Sequence, residues 1–117
     1  MSGAKIKFLE KPACTTCRKA KALLEKHGAK LERRDLGKDR LAAEELDRLI
    51  GARDYTLFLN PRNELYRARK MKNKPPTRAE ALQLMAREPN LIRRPVVIRG
   101  GRIVLGFDEE ALKRLAR

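Results

Sequence analysis

Residues 7–28 read KFLEKPACTTCRKAKALLEKHG and hold both cysteines of the chain, Cys14 and Cys17. Just upstream, Lys5–Glu10 is short and partly alternating, the pattern of a strand, and Pro12 stops it. Downstream, Ala20, Leu23 and Leu24 recur at helical spacing, which predicts a helix over about 15–27 with Gly28 as its stop. The cysteines therefore sit where a strand hands over to a helix. Three explanations compete there: a metal clip, an inert buried pair and a redox couple. A closed zinc site takes four ligands, whereas Cys14, Cys17 and the single His27 supply three. His27 also stands at the far end of the same helix, so no metal is expected. Basic neighbours such as Arg18, Lys19 and Lys21 argue against an inert pair.

A thiolate is the reactive form of cysteine, and a free thiol is mostly protonated at neutral pH. Free N–H groups and the positive dipole end at a helix N-terminus stabilise the anion. Cys14, ahead of the helix, is expected to be exposed and activated. Cys17, in the first turn, is expected to be more buried and placed to resolve a mixed disulfide. Thr15 and Thr16 can offer hydroxyl donors, and the spacing suits a disulfide.

A length of 117 residues fits one domain, and two cysteines do not make a secreted disulfide scaffold. Met1–Lys7 has no apolar signal region, and no apolar run is long enough to cross a bilayer. The expectation is a cytoplasmic protein without membrane partners, where a C-x-x-C is more often catalytic, redox-sensing or metal-binding than structural. The formal net charge of +14 favours anionic partners, whether nucleic acid, an acidic protein face, a small oxyanion or an acidic thiol. Aromatics make up 4% of the chain with no Trp, which disfavours stacking on single-stranded nucleic acid.

Further along, 30–36 reads as a second strand and 41–50 as a helix ended by Gly51. Residues 54–59 start another helix that Asn60-Pro61 interrupts, and 62–71 reads as a short basic helix. Thr77 and Glu80 form a capping-box pattern ahead of a helix to about Arg87. Residues 95–98 and 103–105 read as strands joined by Gly100-Gly101, a two-residue hairpin turn. Asp108 caps a last helix. The order is β-α-β, a helical middle, a β-hairpin and a final α. A C-x-x-C after the first strand of such a unit reads as a thioredoxin-like redox motif. The fold class is α/β: one thioredoxin-like domain over 1–117 with a helical insertion at about 40–90. Arg94 precedes Pro95 at the start of a buried strand, where an X–Pro bond can be cis. Arg62 and Arg94 are then the candidates for an anion clamp beside Cys14.

The ordered set CTTCRKAKALLEKHG, NPRNELYR and LIRRPVVI followed by GF resembles the ArsC/Spx family of thioredoxin-fold proteins, over nearly the whole chain. The resemblance implies Cys14 as the nucleophile that attacks arsenate. It implies Arg62 and Arg94 as holders of the oxyanion. It also implies no bound cofactor, glutathione as co-substrate and glutaredoxin as partner. A third arginine of such reductases meets LGFDEE here, which offers Gly106-Phe107, leaving Arg99 and Arg102 on the hairpin as substitutes. At Cys17 the single-cysteine reductases often carry Ser, whereas Spx-type regulators use C-x-x-C as a redox switch and bind RNA polymerase. Two readings follow: a glutathione-linked thiol oxidoreductase acting on an oxyanion or disulfide, which leads, and a redox-sensing transcriptional regulator. The Cys-x5-Arg reductases are excluded, because Ala20 stands six residues after Cys14.

Overall fold

Alternate residues of the first strand, β1 (Ile6–Glu10), point to one face of a sheet, so Ile6 and Phe8 are buried together while Lys7 between them is exposed. In the computed structural model, which describes residues 5–117, that face is covered by helix α1 (Thr15–Lys26) and by the last helix. Residues 1–4 of the N-terminal stretch read above for a signal region lie outside the described residues. Strand β2 (Leu31–Asp35) returns parallel to β1, which requires the α1 crossover. Strand β3 (Val96–Arg99) runs antiparallel to β1 with Phe8 opposite Val97, and β4 (Arg102–Leu105) pairs with β3. The sheet order is β2-β1-β3-β4, the thioredoxin-like arrangement. Gly100-Gly101 closes the hairpin between Arg99 and Arg102, and Gly100 takes a φ of +60°, which a side chain would resist.

The chain divides into two compact units. The first joins the chain up to Leu36 with Arg94–Arg117, and the second is Gly37–Arg93. The core of the first gathers Ile6, Phe8 and Val97 from the sheet with Ala20 and Leu24 from α1 and Leu112 and Leu115 from the terminal helix. The second holds α2 (Ala43–Ile50), α3 (Glu64–Ala68) and α4 (Arg78–Arg87), with 3₁₀ turns at Tyr55–Phe58 and Pro89–Leu91. Helix α5 (Glu109–Ala116) belongs to the first unit and is capped by Asp108, whose Oδ1 accepts the Ala111 N–H at 3.1 Å. Thr77 and Glu80 make the reciprocal bonds of a capping box at α4.

Two helices are shorter than sequence periodicity predicts. Residues 54–59 make one 3₁₀ turn, started by the Asp54 carboxylate accepting the Thr56 N–H and stopped ahead of Pro61, which pushes Asn60 out of the helical region. The basic stretch 62–71 is helical only over Glu64–Ala68: Asn63 caps it, and Lys70 takes a φ of +52°. Among the described residues no helix is long and apolar enough to cross a membrane.

Candidate active site

Cys14 is the N-cap of α1, a position where a side chain normally accepts a hydrogen bond from the first turn. Here a thiol takes that place. Backbone torsions of −79° and 123° leave Cys14 extended, and its Sγ accepts the Cys17 N–H at 3.4 Å. The backbone on both sides is fixed: the Cys14 N–H donates to Lys11 O at 2.9 Å, and its carbonyl accepts the Arg18 N–H at 3.1 Å. No acidic residue occupies the first turn of α1, so nothing there repels an anion at this end.

The two thiols are both free and have opposite surroundings. Burial pushes the Cys14 thiol up. The Cys17 N–H and S–H, the Arg94 guanidinium and the Thr16 N–H together outweigh that burial and hold Cys14 below the ordinary value of 9.0. Cys17 is fully buried, and burial first, then the neighbouring Cys14, pushes it up to about 12, against a Lys11 N–H that works the other way. Of the two, the half-buried Cys14 sulfur is therefore the one that ionises first. A helix dipole alone is worth about 0.3–1 kcal/mol, whereas a hydrogen bond to a charged group contributes about 1.5–3 kcal/mol. Direct donors to sulfur therefore do more than the helix as a whole.

The positive charge that acts on Cys14 is not the one nearest in sequence. Arg18 and Lys19 point outward, and Lys21 pairs with Glu25 at 3.2 Å. Arg94 supplies the charge instead. It lies just before β3, and the register of Leu9 opposite Val96 brings that point beside the end of β1 that leads to Cys14. The Arg94–Pro95 peptide bond is cis, Pro95 is buried, and its carbonyl accepts the Gly106 N–H at 2.9 Å.

Cys14, Thr15, Thr16, Cys17, Arg94 and Pro95 all belong to the first unit. Thr16 acts through its backbone N–H and not through the hydroxyl expected from sequence; Thr15 is exposed. Cys14 is half-buried where an exposed thiol was expected. Arg62 lies in the second unit, exposed, with its N–H donating to Asn60 Oδ1 at 3.0 Å. Both hairpin arginines stand away from Pro95 along the sheet. Arg99 donates to the carbonyls of Leu115 and Arg117 at 2.7 and 2.9 Å, and it and Arg102 flank the turn at the other end of β3 from Pro95. Phe107 follows Gly106 and is 40% exposed.

Sequence reasoning missed Glu10, which is buried at the end of β1 and bonded by Arg33 from β2, and the Lys11 N–H that reaches Cys17. A carboxylate at a strand end carries no sequence signal of burial, because its partner comes from another strand. His27 is exposed at the C-terminus of α1. Among the described residues no three His, Cys, Asp or Glu side chains gather as a metal site would need.

Known proteins are similar to this chain in sequence and fold. The ArsC family model matches residues 9–115. The global transcriptional regulator Spx of Enterococcus faecalis is 32% identical over 105 residues, spanning 88% of this chain and 80% of that protein. The regulatory protein MgsR of Bacillus subtilis is 27% identical over 112 residues, spanning 94% of this chain and 89% of its own length. The crystal structure of a possible arsenate reductase from Streptococcus mutans superposes with a TM-score of 0.76 at 31% identity, covering 95% of this chain and 99% of that one. With that match over most of its length and the thioredoxin-like sheet behind its cysteine pair, this chain belongs to the ArsC/Spx family.

Proposed function

We propose that the protein is a glutathione-linked thiol oxidoreductase in which Cys14 attacks an oxyanion or a disulfide. The observation that carries this reading is the division of labour within one helical turn: Cys14 is held below the ordinary thiol range beside Arg94, while Cys17 is buried and stays protonated.

With arsenate, the leading oxyanion, the Cys14 thiolate forms an S–As bond and hydroxide leaves, taking up a proton as water. The Arg94 guanidinium and the N–H groups at the start of α1 stabilise the charge that develops on the oxyanion. A second thiolate, from Cys17 or from glutathione, then attacks the Cys14 sulfur. An S–S bond forms, the S–As bond breaks, and its electron pair leaves with arsenic, which falls from As(V) to As(III). Two thiols have been oxidised to one disulfide. Two glutathione molecules, or glutaredoxin, restore the thiols and become the disulfide themselves. Once Cys14 is bonded to substrate it no longer raises the Cys17 thiol, so Cys17 becomes easier to ionise at the step that needs it. A mixed disulfide as substrate follows the same course, with a thiolate as the leaving group.

The test is arsenate-dependent NADPH oxidation coupled through glutathione, glutaredoxin and glutathione reductase, run beside Cys14→Ser. Turnover that vanishes in the variant supports the reading, and absence of turnover with both arsenate and a glutathione mixed disulfide overturns it.

A second reading is favoured by the regulators among the similar proteins and by Phe107 standing where the resemblance implies a third arginine. In it the Cys14–Cys17 disulfide is a switch that changes binding to RNA polymerase in a reducing cytoplasm. Reversible disulfide formation without turnover, with polymerase binding that changes on oxidation and no longer does so in Cys17→Ser, would select it.

A further inference from the structure

The second unit has its own concave site, lined by its own residues. Leu57, Leu59, Tyr66, Met71, Lys72 and Arg93 are among the residues lining a pocket of about 310 Å³, at the small end of ligand-sized cavities. Its walls are mainly apolar. Leu57 is 52% exposed, the largest exposure among the big apolar side chains of the described residues, so the pocket opens through a hydrophobic lip.

Around it lies the densest positive charge of the chain. The eight residues RARKMKNK, 67–74, carry five cations and no acid. Arg67, Arg69, Lys70, Lys72 and Lys74 are all exposed, and among the described residues none of the five makes an ion pair. Elsewhere the chain does neutralise such groups: Arg78 in the same unit pairs with Asp47 at 2.9 Å, and Lys113 with Glu109 at 3.0 Å. The run is also held in shape. Met71 is buried, its N–H donates to Tyr66 O at 3.0 Å, and the Lys74 N–H donates to Lys70 O at 2.9 Å. Tyr66 and Met71 line the pocket, and the turn they close displays Arg67, Arg69 and Lys70. Charge and pocket therefore belong to one rigid piece of chain.

We infer that this face of the second unit binds an acidic segment of a partner protein that inserts one apolar side chain into the Leu57–Tyr66–Met71 pocket and lays its carboxylates on the Arg67–Lys74 cations. The two features together select this occupant. A nucleic-acid backbone would use the cations and leave an apolar pocket empty, and the half-buried Tyr66 is the single aromatic among the pocket's lining residues, short of the successive exposed rings that base stacking uses. A purely hydrophobic partner would leave five cations facing it without counter-charge.

The probe is a fluorescein-labelled nonapeptide of Asp and Glu with one central Phe, followed by fluorescence anisotropy against the full chain. Its controls are the same peptide with Ser in place of Phe and a labelled 20-base-pair DNA duplex. The Phe peptide should bind about tenfold or more tightly than the Ser peptide, the ratio that burial of one aromatic side chain supplies. Leu57→Glu should erase that ratio. Arg67→Glu with Lys72→Glu should weaken both peptides about tenfold or more. All three positions are at the surface, and circular dichroism checks that the variants fold. Binding should be unchanged in Cys14→Ser, which keeps this result separate from that of the thiol chemistry. Equal binding of the Phe and Ser peptides, a preference for the duplex that Leu57→Glu leaves intact, or no saturable binding of the Phe peptide up to about 1 mM would each overturn the proposal.

Discussion

Alkylation should separate the two cysteines by orders of magnitude, although they lie within one helical turn. Cys17 is pushed up to about 12, so at pH 8 roughly one molecule in 10⁴ carries its thiolate. Cys14 is held below 9.0, so more than about one molecule in ten is ionised at the same pH. Ionisation alone therefore gives a rate ratio of at least about 10³, and the complete burial of Cys17 widens it. The assay is iodoacetamide at pH 8 with intact mass measured over time and the adduct located by peptide mapping. One adduct should form, on Cys14, well before any second. The second step should stay slow even after the first, because alkylation removes only what Cys14 contributes to the high Cys17 value, and burial, the larger cause, remains. Both sites should react quickly in denaturant. Cys17→Ala takes away the S–H donor to Cys14 and leaves the N–H, so the pH midpoint of Cys14 alkylation should rise. Comparable labelling of both cysteines in the folded protein, or a first adduct on Cys17, would refute the division of roles.

Arg94→Gln should raise the same Cys14 midpoint and lower kcat/KM for an oxyanion about 10²–10³-fold, the usual loss when one transition-state donor is removed; steady-state kinetics and alkylation read the two effects separately. Stability should fall in alkali through Cys17: the unfolded thiol ionises near 9.0 while the folded one keeps its proton to about 12, so the unfolded state holds fewer protons and its rival loses ground as pH rises from 9 towards 12. Urea midpoints at pH 8 and pH 10.5 in Cys14→Ser, which lacks the opposing titration, should show the drop, and Cys17→Ala in that background should flatten it. Asp108→Ala removes the acceptor for the Ala111 N–H and should cost about 1 kcal/mol in chemical denaturation, with Asp108→Asn restoring most of it.

Where a structural signal is local, it was legible in the sequence. The Thr77–Glu80 capping box, the Gly100-Gly101 turn and the Asp108 cap each depend on residues within three or four positions, and each forms. Burial of Cys17 was legible too, since Cys17, Ala20 and Leu24 share one face of α1. Signals that depend on distant chain were legible only in part. Arg94 was expected beside Cys14 from its place before Pro95, and sheet register delivers it; Arg18, Lys19 and Lys21 were expected to add charge there as well, but helical geometry turns these side chains away. Residues 62–71 carry helix-forming residues throughout, yet the turn at Lys70 is dictated by Met71 reaching the core. Arg62 and Arg94 were expected as a pair from the anion clamp and the family resemblance; Arg62 belongs to the second unit and Arg94 to the first.

The identity of residue 107 bears on which electrophile the thiolate meets. Arg99 is occupied at the end of α5, and three residues of strand at about 3.3 Å each put it roughly 10 Å along the sheet from Val96. Among the described residues of the first unit, the guanidinium that acts on Cys14 is that of Arg94. Attack by a thiolate on a dianionic oxyanion gathers three negative charges, and each unit pair at 4 Å near a protein surface is worth about 4 kcal/mol, so one cation leaves much of that repulsion standing. A disulfide bond is itself neutral, so no such charge sits on the sulfur that is attacked. Phe107, held beside the cis-proline loop by the Gly106 N–H to Pro95 O bond, also offers an apolar surface to the carbon chain of a disulfide. Phe107→Arg should then raise kcat/KM for arsenate and lower it for a glutathione mixed disulfide, with opposite signs in the same variant. The side chain is exposed, so the change leaves the core untouched. A variant that slows both reactions, or speeds both, would show that the charge at position 107 does not set the choice of substrate.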